Sequence, residues 1–540
     1  MDTDKLGEEA AAHPPEAEKR RGVAAPGAAT VLVLVALPLM LVSYFFGDLA
    51  ADTVVRLHRF KESSSSSSSP AAAADGSSAG FSRRSSTRRR ASAGLFAVEA
   101  VAVRVSPYLV ERLRRYEANH RRCGPGTARY RDAVARLRSG DGDGDAECRY
   151  VVWLPIQGLG NRMLSLVSTF LYALLTGRVV LVHEPPEMEG LFCEPFPGTS
   201  WLLPPDFPYK GGFSAASNES YVNMLKNGVV RHDGDGGALP PYVYLHLEQI
   251  HLRLQNHTFC EEDHRVLDRF NWMVLRSDSY FAVALFLVPA YRAELDRMFP
   301  AKGSVFHHLG RYLFHPGNRA WGIVERFYDG YLAGADERLG IQVRIVPQMA
   351  VPFDVMYEQI LRCTREHGLL PSESAGGRPP PPPTATATKV KAVLVVSLKR
   401  EYYDKLHGAY YTNATASGEV VAVYQPSHDG DQHTEARAHN ERALAEIYLL
   451  SFSDAVVTTA WSTFGYVAHA LAGVRPWQLA PLDWGKMRAD VACARPASVE
   501  PCLHSPPPLV CRARRDRDPA AHLPFLRHCE DVPAGLKLFD

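Results

Sequence analysis

Tyr150-Val-Val-Trp-Leu154, followed by Pro155-Ile-Gln-Gly158-Leu-Gly160-Asn161-Arg162, by Met163 to Thr176 and by Val179-Val-Leu-Val182, is the stretch that decides the fold. The first run is short, uncharged and rich in β-branched and aromatic side chains, the pattern of a buried strand. A glycine-containing turn ends it. Met163 to Thr176 is apolar-rich and long enough for a helix, and Val179 to Val182 supplies another short apolar run. Strand, helix and strand in that order predict one βαβ unit.

A second block further along repeats the pattern. Gly340-Ile-Gln-Val-Arg-Ile345, Ala392 to Val396, Val420 to Val423 and Ala455 to Thr458 read as strands, with helices at Phe353 to Cys363, Glu435 to Leu450 and Thr463 to Ala472. Alternating strands and helices in two blocks predict an α/β protein of two doubly wound domains facing one another across a cleft. Pro379 to Pro383 and the Thr/Ala run to Thr388 read as a surface insertion in the second block.

The remaining sequence bounds the setting. At 540 residues and 46% apolar content the chain can bury a sizeable core. Its net charge of +1 gives no reason to expect nucleic acid as a partner. No charged side chain occurs from Val23 to Gly47, and about 20 apolar residues suffice to cross a bilayer. An anchor at 23–47 is preferred to a cleaved signal peptide, because the run is long and lacks a small-x-small site before Asp48. Residues 1–22 then form a cytosolic tail. Residues 48–105, with Ser63 to Ser69 and an arginine-rich run, form a stem too poor in apolar surface to fold. The sequons at Asn218, Asn256 and Asn413 all lie in the C-terminal part and would be usable only in a lumen. Nine cysteines without CxxC or zinc spacing read as disulfides, with at least one thiol left over. Four of them follow Asp490, which predicts a stapled C-terminal tail at 481–540.

Anion chemistry must be local in so balanced a chain. Gly158 to Arg162 offers close backbone approach, an amide and a guanidinium just before a helix, or else a structural turn. Ser462-Thr463-Phe464-Gly465 follows a strand and opens a helix, so hydroxyl and N–H groups converge at a positive helix end, while Ser462 equally suits an N-cap. Ser397 closes the strand that ends near Val396. Arg344 sits between Val343 and Ile345 in a strand that otherwise reads as buried. A guanidinium there needs an anion, either a core carboxylate or a diphosphate held bidentately. The Asp-x-Asp triplets at 141–145, 233–235 and 429–431 lie in glycine-rich turns and read as solvated, not metal-binding. His307 and His308 read as surface or structural histidines.

Several long strings together resemble the plant xyloglucan-type fucosyltransferases, over about Pro107 to Asp540. They are Cys123-Gly-Pro-Gly-Thr127, Val151-Val-Trp153 with Gly158 to Arg162, Phe192-Cys-Glu-Pro-Phe196 with Ser200-Trp-Leu-Leu-Pro204, Val305 to Pro316, Gly340 to Arg344 and Ala460-Trp-Ser-Thr-Phe-Gly465. The resemblance implies a GT-B-like pair of Rossmann-like domains, an acceptor-side domain at 106–334 and a GDP-fucose-binding domain at 335–480. It implies GDP-fucose as sugar donor, inversion, no required metal or other cofactor, and α-1,2 transfer to galactose on xyloglucan, with arabinogalactan protein as the other acceptor known among relatives. A single-pass type II Golgi location and a homodimer or transferase complex follow in the same way. By position, Arg344 resembles the family's phosphate-binding arginine, Ser462 to Gly465 its donor loop, and Asp278 an acidic residue suited to accept the acceptor proton. Asn161, Arg162 and Ser397 complete the expected donor site.

Overall fold

A computed structural model of the chain describes residues 104–140, 146–208, 211–232, 239–249, 259–345, 351–374, 388–482, 489–507 and 518–540. The expected tail and anchor, nearly all of the stem, the proline insertion, Asn256, Cys511 and the acidic triplets at 141–145 and 233–235 lie outside the described residues. Among those described, no helix is long and apolar enough to cross a membrane.

Helices of nine residues or more are labelled. In the first half, α1 (Pro107–Cys123) and α2 (Ala128–Ser139) precede β1 (Tyr150–Leu154), α3 (Leu159–Thr176) and β2 (Val179–Val182). Then come β3 (Val243–Leu247), β4 (Trp272–Ser277), α4 (Val305–Leu313) and α5 (Asn318–Phe327). The four strands form one sheet in the order β2-β1-β4-β3, all parallel. The predicted βαβ unit is present as β1-α3-β2, with Tyr150 opposite Val179 and Trp153 opposite Val182. Every residue of β1 is buried, as expected for an interior parallel strand covered on both faces. Strand β4, on the far side of β1, and its neighbour β3 are additional to the strands read from sequence; Arg276 and His246 interrupt their apolar runs.

The second half holds β5 (Glu337–Val343), α6 (Phe353–Glu366), β6 (Val390–Ser397), α7 (Glu401–Thr412) and β7 (Val420–Tyr424). It continues with α8 (Arg437–Ser451), β8 (Ala455–Thr458), α9 (Thr463–Ala472), β9 (Trp477–Leu479) and β10 (Cys493–Ala494). Its sheet runs β10-β9-β8-β5-β6-β7, parallel except where β10 closes the edge antiparallel to β9. Strand β5 stops one residue short of Arg344. Arg344 is therefore not a buried strand residue, as its apolar neighbours suggest, but the first residue beyond the strand end.

One apolar core runs from Leu109 on α1 through α3 and α4 to Leu394, Leu449 and Val467 of the second half. The tail joins it. β11 (Leu526–His528) and β12 (Leu536–Leu538) form an antiparallel hairpin whose Leu526, Leu536 and Leu538 are buried in that core, each contributing about 1.5–3 kcal/mol. Disulfides Cys123–Cys148, Cys363–Cys493 and Cys502–Cys529 pin α1 to β1, α6 to β10 and the arms of the tail to each other. Cys260 is also disulfide-bonded, and among the described residues Cys193 is free. His307 and His308 are buried, and desolvation lowers the first to about 3 and the second to about 4. They are structural.

Two carboxylates fasten the tail. Glu500 accepts from the Tyr280 hydroxyl at 2.6 Å and the Phe306 N–H at 2.8 Å. Asp531, fully enclosed, accepts through Oδ2 from the Trp461 N–H at 2.9 Å, from Gln478 Nε2 at 2.8 Å and from the Tyr466 hydroxyl. Asp531→Ala removes that acceptor from the Trp461 N–H and the Gln478 amide and leaves the Tyr466 hydroxyl to His504 Nε2, 3.0 Å away, and the expected loss is about 3 kcal/mol. A lowered thermal midpoint checks this; an unchanged midpoint would show that the tail does not brace the second half.

Candidate active site

The carboxyl ends of parallel strands from both sheets open on one cavity of about 300 Å³. The first half contributes Gly158 to Asn161 and Gln249; the second contributes Arg344, Ser397 and the segment from Trp461 to Phe464. Strand ends of an open α/β sheet leave loops free to vary while the strands stay packed, and ligands of such folds bind there.

Two helix N-termini meet at this point. Gly158 is the N-cap of α3, and Ser462 caps α9 by accepting from the Gly465 N–H at 3.3 Å. A Cβ on Gly160 would stand 2.8 Å from the Phe464 nitrogen and the Thr463 carbonyl carbon. This glycine therefore serves the approach of the two helices, not the approach of a phosphate. Asn161 locks the contact: its Oδ1 accepts from the Thr463 hydroxyl at 2.9 Å and its Nδ2 donates to the Asp278 carbonyl at 2.8 Å. Gly465 lies behind the cavity wall, where a Cβ would be 2.8 Å from Gln342 Oε1.

Among the described residues, the non-glycine positions with positive φ are Gln157 (63°) and Trp461 (60°). Each immediately precedes one of these N-caps. Such backbone costs about 1–3 kcal/mol and persists where surroundings enforce it. Arg162 Nε donates to the Gln157 carbonyl at 2.8 Å while Arg162 Nη2 pairs with Glu187 at 3.1 Å. Arg162 is thus turned into the protein beneath the loop and does not line the cavity, contrary to its expected place in the donor site. The Trp461 N–H is held by Asp531.

Arg344 is half-buried, takes its backbone N–H to Thr459 Oγ1 at 3.0 Å and donates from Nη2 to Gln432 Oε1. Burial lowers its pKa, yet a guanidinium stays charged at any physiological pH. No described carboxylate lies within ion-pair distance of it. Among the described residues, then, no core carboxylate answers to the first of the two anions left open by sequence. Ser397 lines the same wall, its hydroxyl accepting from the Lys399 N–H at 3.0 Å.

The rest of the lining was not legible as a site. His439, Asn440 and Glu446 of α8 line it together with Ser427, Asp429 and Gln432 from the loop before α8. Asp429 is no solvated turn residue: it accepts from His439 Nδ1 at 2.8 Å and from Arg442 at 3.0 and 2.9 Å. Of the two aspartates of that triplet, Asp431 is the exposed one. Desolvation pushes Glu446 up to about 7, and the Ser427 hydroxyl donates to it at 2.5 Å. The available signal was a lone carboxylate inside the apolar run Ala443 to Leu450. Asp278 lies just past β4 and is buried; its Oδ1 accepts from the Gln249 N–H at 2.8 Å. Desolvation raises its pKa against that hydrogen bond, and Glu248 adds to the rise. Gln249 stands between it and the cavity as a wall residue.

A fold of parallel strands ending on a cavity with an arginine that no described carboxylate pairs, and with two helix N-termini, defines an α/β enzyme built to hold an anionic, nucleotide-sized substrate. A family model described as xyloglucan fucosyltransferase matches residues 59–512, and the chain belongs to that family. Galactoside 2-alpha-L-fucosyltransferase of Arabidopsis thaliana is 46% identical over 436 residues, covering 80% of this chain and 77% of that protein. The Pisum sativum protein of the same name is 44% identical over 81% of this chain and 76% of its own length. A solved structure of a mutant of Arabidopsis thaliana FUT1 in complex with GDP superposes with a TM-score of 0.77 at 42% identity, covering 86% of this chain and all of that one.

Arg344→Ala is expected to lower turnover about 100-fold, as for loss of an electrostatic stabiliser, and to weaken GDP binding by calorimetry, with Arg344→Lys recovering part of both. Near-normal kinetics in the alanine variant would remove Arg344 from the site. Glu446 makes a separate prediction. Its pKa is raised from 4.5 to about 7, so the folded state binds the extra proton and its stabilising share is complete below 4.5 and lost as pH rises to about 7. Thermal scans of Glu446→Gln should lack that part of the decline between those pH values.

Proposed function

We propose that this chain transfers L-fucose from GDP-fucose, with inversion, to the 2-hydroxyl of terminal galactose on xyloglucan side chains. The observation that carries the reading is Arg344, a half-buried guanidinium without a carboxylate partner among the described residues, facing a cavity into which two helix N-termini point. The GDP held by the solved relative, and the names of the curated ones, agree with it. The two parallel sheets act as a GT-B-like pair, with 106–334 on the acceptor side and 335–480 holding the nucleotide.

In the reaction the bond from fucose C1 to the β-phosphate oxygen breaks, and its electron pair stays with GDP. The negative charge that grows on the diphosphate is met by Arg344, by the N–H groups opening α9 and by the Ser462 hydroxyl. Ser462 Oγ already accepts from Gly465, so its own hydrogen is free to donate. The Thr463 hydroxyl is committed to Asn161, which makes Asn161 and Thr463 positioning residues. The galactose oxygen bonds to C1 from the opposite face, and its proton leaves toward Asp278, whose raised pKa makes it a better base; because Gln249 lines the cavity in front of Asp278, that transfer is not a direct one. The reading needs no metal. Asn218 and Asn413 are exposed, as N-glycosylation of a lumenal, type II Golgi protein requires.

Incubation of the purified chain with GDP-fucose and galactosylated xyloglucan should add one deoxyhexose by mass, and arabinogalactan protein in parallel decides the acceptor. GDP binding without transfer to any galactose- or arabinose-terminated acceptor would leave a glycan-binding homologue instead.

A further inference from the structure

Helix α7 carries a row of rings that the cavity does not use. Tyr403, His407 and Tyr411 recur every fourth residue and so lie along one face of the helix. Ring centroids are 5.3 Å apart from Tyr403 to His407 and 5.5 Å from His407 to Tyr411. His428, from the loop after β7, extends the row beyond the helix, 6.1 Å from Tyr403. Tyr411 at the far end is 82% exposed.

Neighbouring rings four residues apart also stabilise a helix by themselves, by a few tenths of a kcal/mol. That explains neither the fourth ring contributed by another segment nor an aromatic left in water. The row has a direction: His428 stands between Ser427 and Asp429, both in the cavity wall, so the rings lead outward from the cavity along α7. Their spacing is close to the length of one residue in an extended β-linked glucan. The apolar C–H face of a pyranose packs on the negative face of an aromatic ring, and tyrosine and histidine present an apolar body with a polar tip that suits a hydroxyl-rich ligand.

Resting on the functional reading above, we infer that the row from His428 to Tyr411 is a docking track for the main chain of an uncharged, extended polysaccharide whose side chain reaches the cavity. Its contribution is to acceptor binding at a distance from the chemistry, and it makes the polymer a better acceptor than a short oligosaccharide of it.

The test compares the full chain carrying Asn413→Gln, so that a sugar on that sequon does not cover Tyr411, with the same chain also carrying Tyr403→Ala and Tyr411→Ala. KM for polymeric xyloglucan should rise about tenfold, the loss of two ring contacts, while kcat and KM for a short galactosylated oligosaccharide stay unchanged. Equal change, or none, on both acceptors overturns the track. Electrophoresis of both proteins through a gel containing xyloglucan, without GDP-fucose, gives a second readout independent of catalysis. Retardation lost in the alanine variant supports the track even if no fucose is transferred; absent or equal retardation overturns it.

Discussion

The structure depends on two helix N-termini being brought together where the strands of both sheets end. Each N-terminus carries a partial positive charge and unpaired N–H groups, so placing α3 against α9 is unfavourable unless something holds them. Gly160 removes the side chain that would separate them, Asn161 bridges Thr463 to the Asp278 carbonyl, and Asp531 anchors the turn into α9 from the tail. Arg344 adds a full charge to the same cavity. The result is a pre-built deficit of negative charge, which a nucleotide diphosphate supplies.

The tail takes its meaning from that constraint. A hairpin that buries Leu526, Leu536 and Leu538 in the shared core also delivers Asp531 to the strained Trp461 and Glu500 to Tyr280 and the start of α4. Disulfides at Cys493, Cys502 and Cys529 limit how far this segment departs when the structure loosens. The strain at Gln157 and Trp461 is accordingly held from opposite sides, by Arg162 with Glu187 and by the tail.

The cavity lining is uneven in charge. Arg344 supplies a cation. The loop before α8 and α8 itself place Asp429 between His439 and Arg442, with Glu446 raised into the neutral range beside Ser427. Asp278 does not line the cavity; its carboxylate accepts from the N–H of Gln249, which does.

The βαβ unit, the second strand series and the start of α9 at Ser462 were legible in the sequence because strand and helix periods are local properties, and Arg344 was legible as a cation out of place among apolar neighbours. Family membership followed from strings of residues in order. What sequence could not decide was which groups were already committed. Arg162 and the Thr463 hydroxyl look available in a one-dimensional motif, but Glu187 and Asn161 take them from 25 and 302 residues away. Asp429 looks solvated until α8 brings His439 and Arg442 to it. Strands β3 and β4 were hidden by Arg276 and His246, whose place at strand ends is fixed only when the sheet is assembled. Periodicity records how a segment faces its own neighbours; only the tertiary fold decides which hydrogen-bonding groups are satisfied, and the unsatisfied ones make the site.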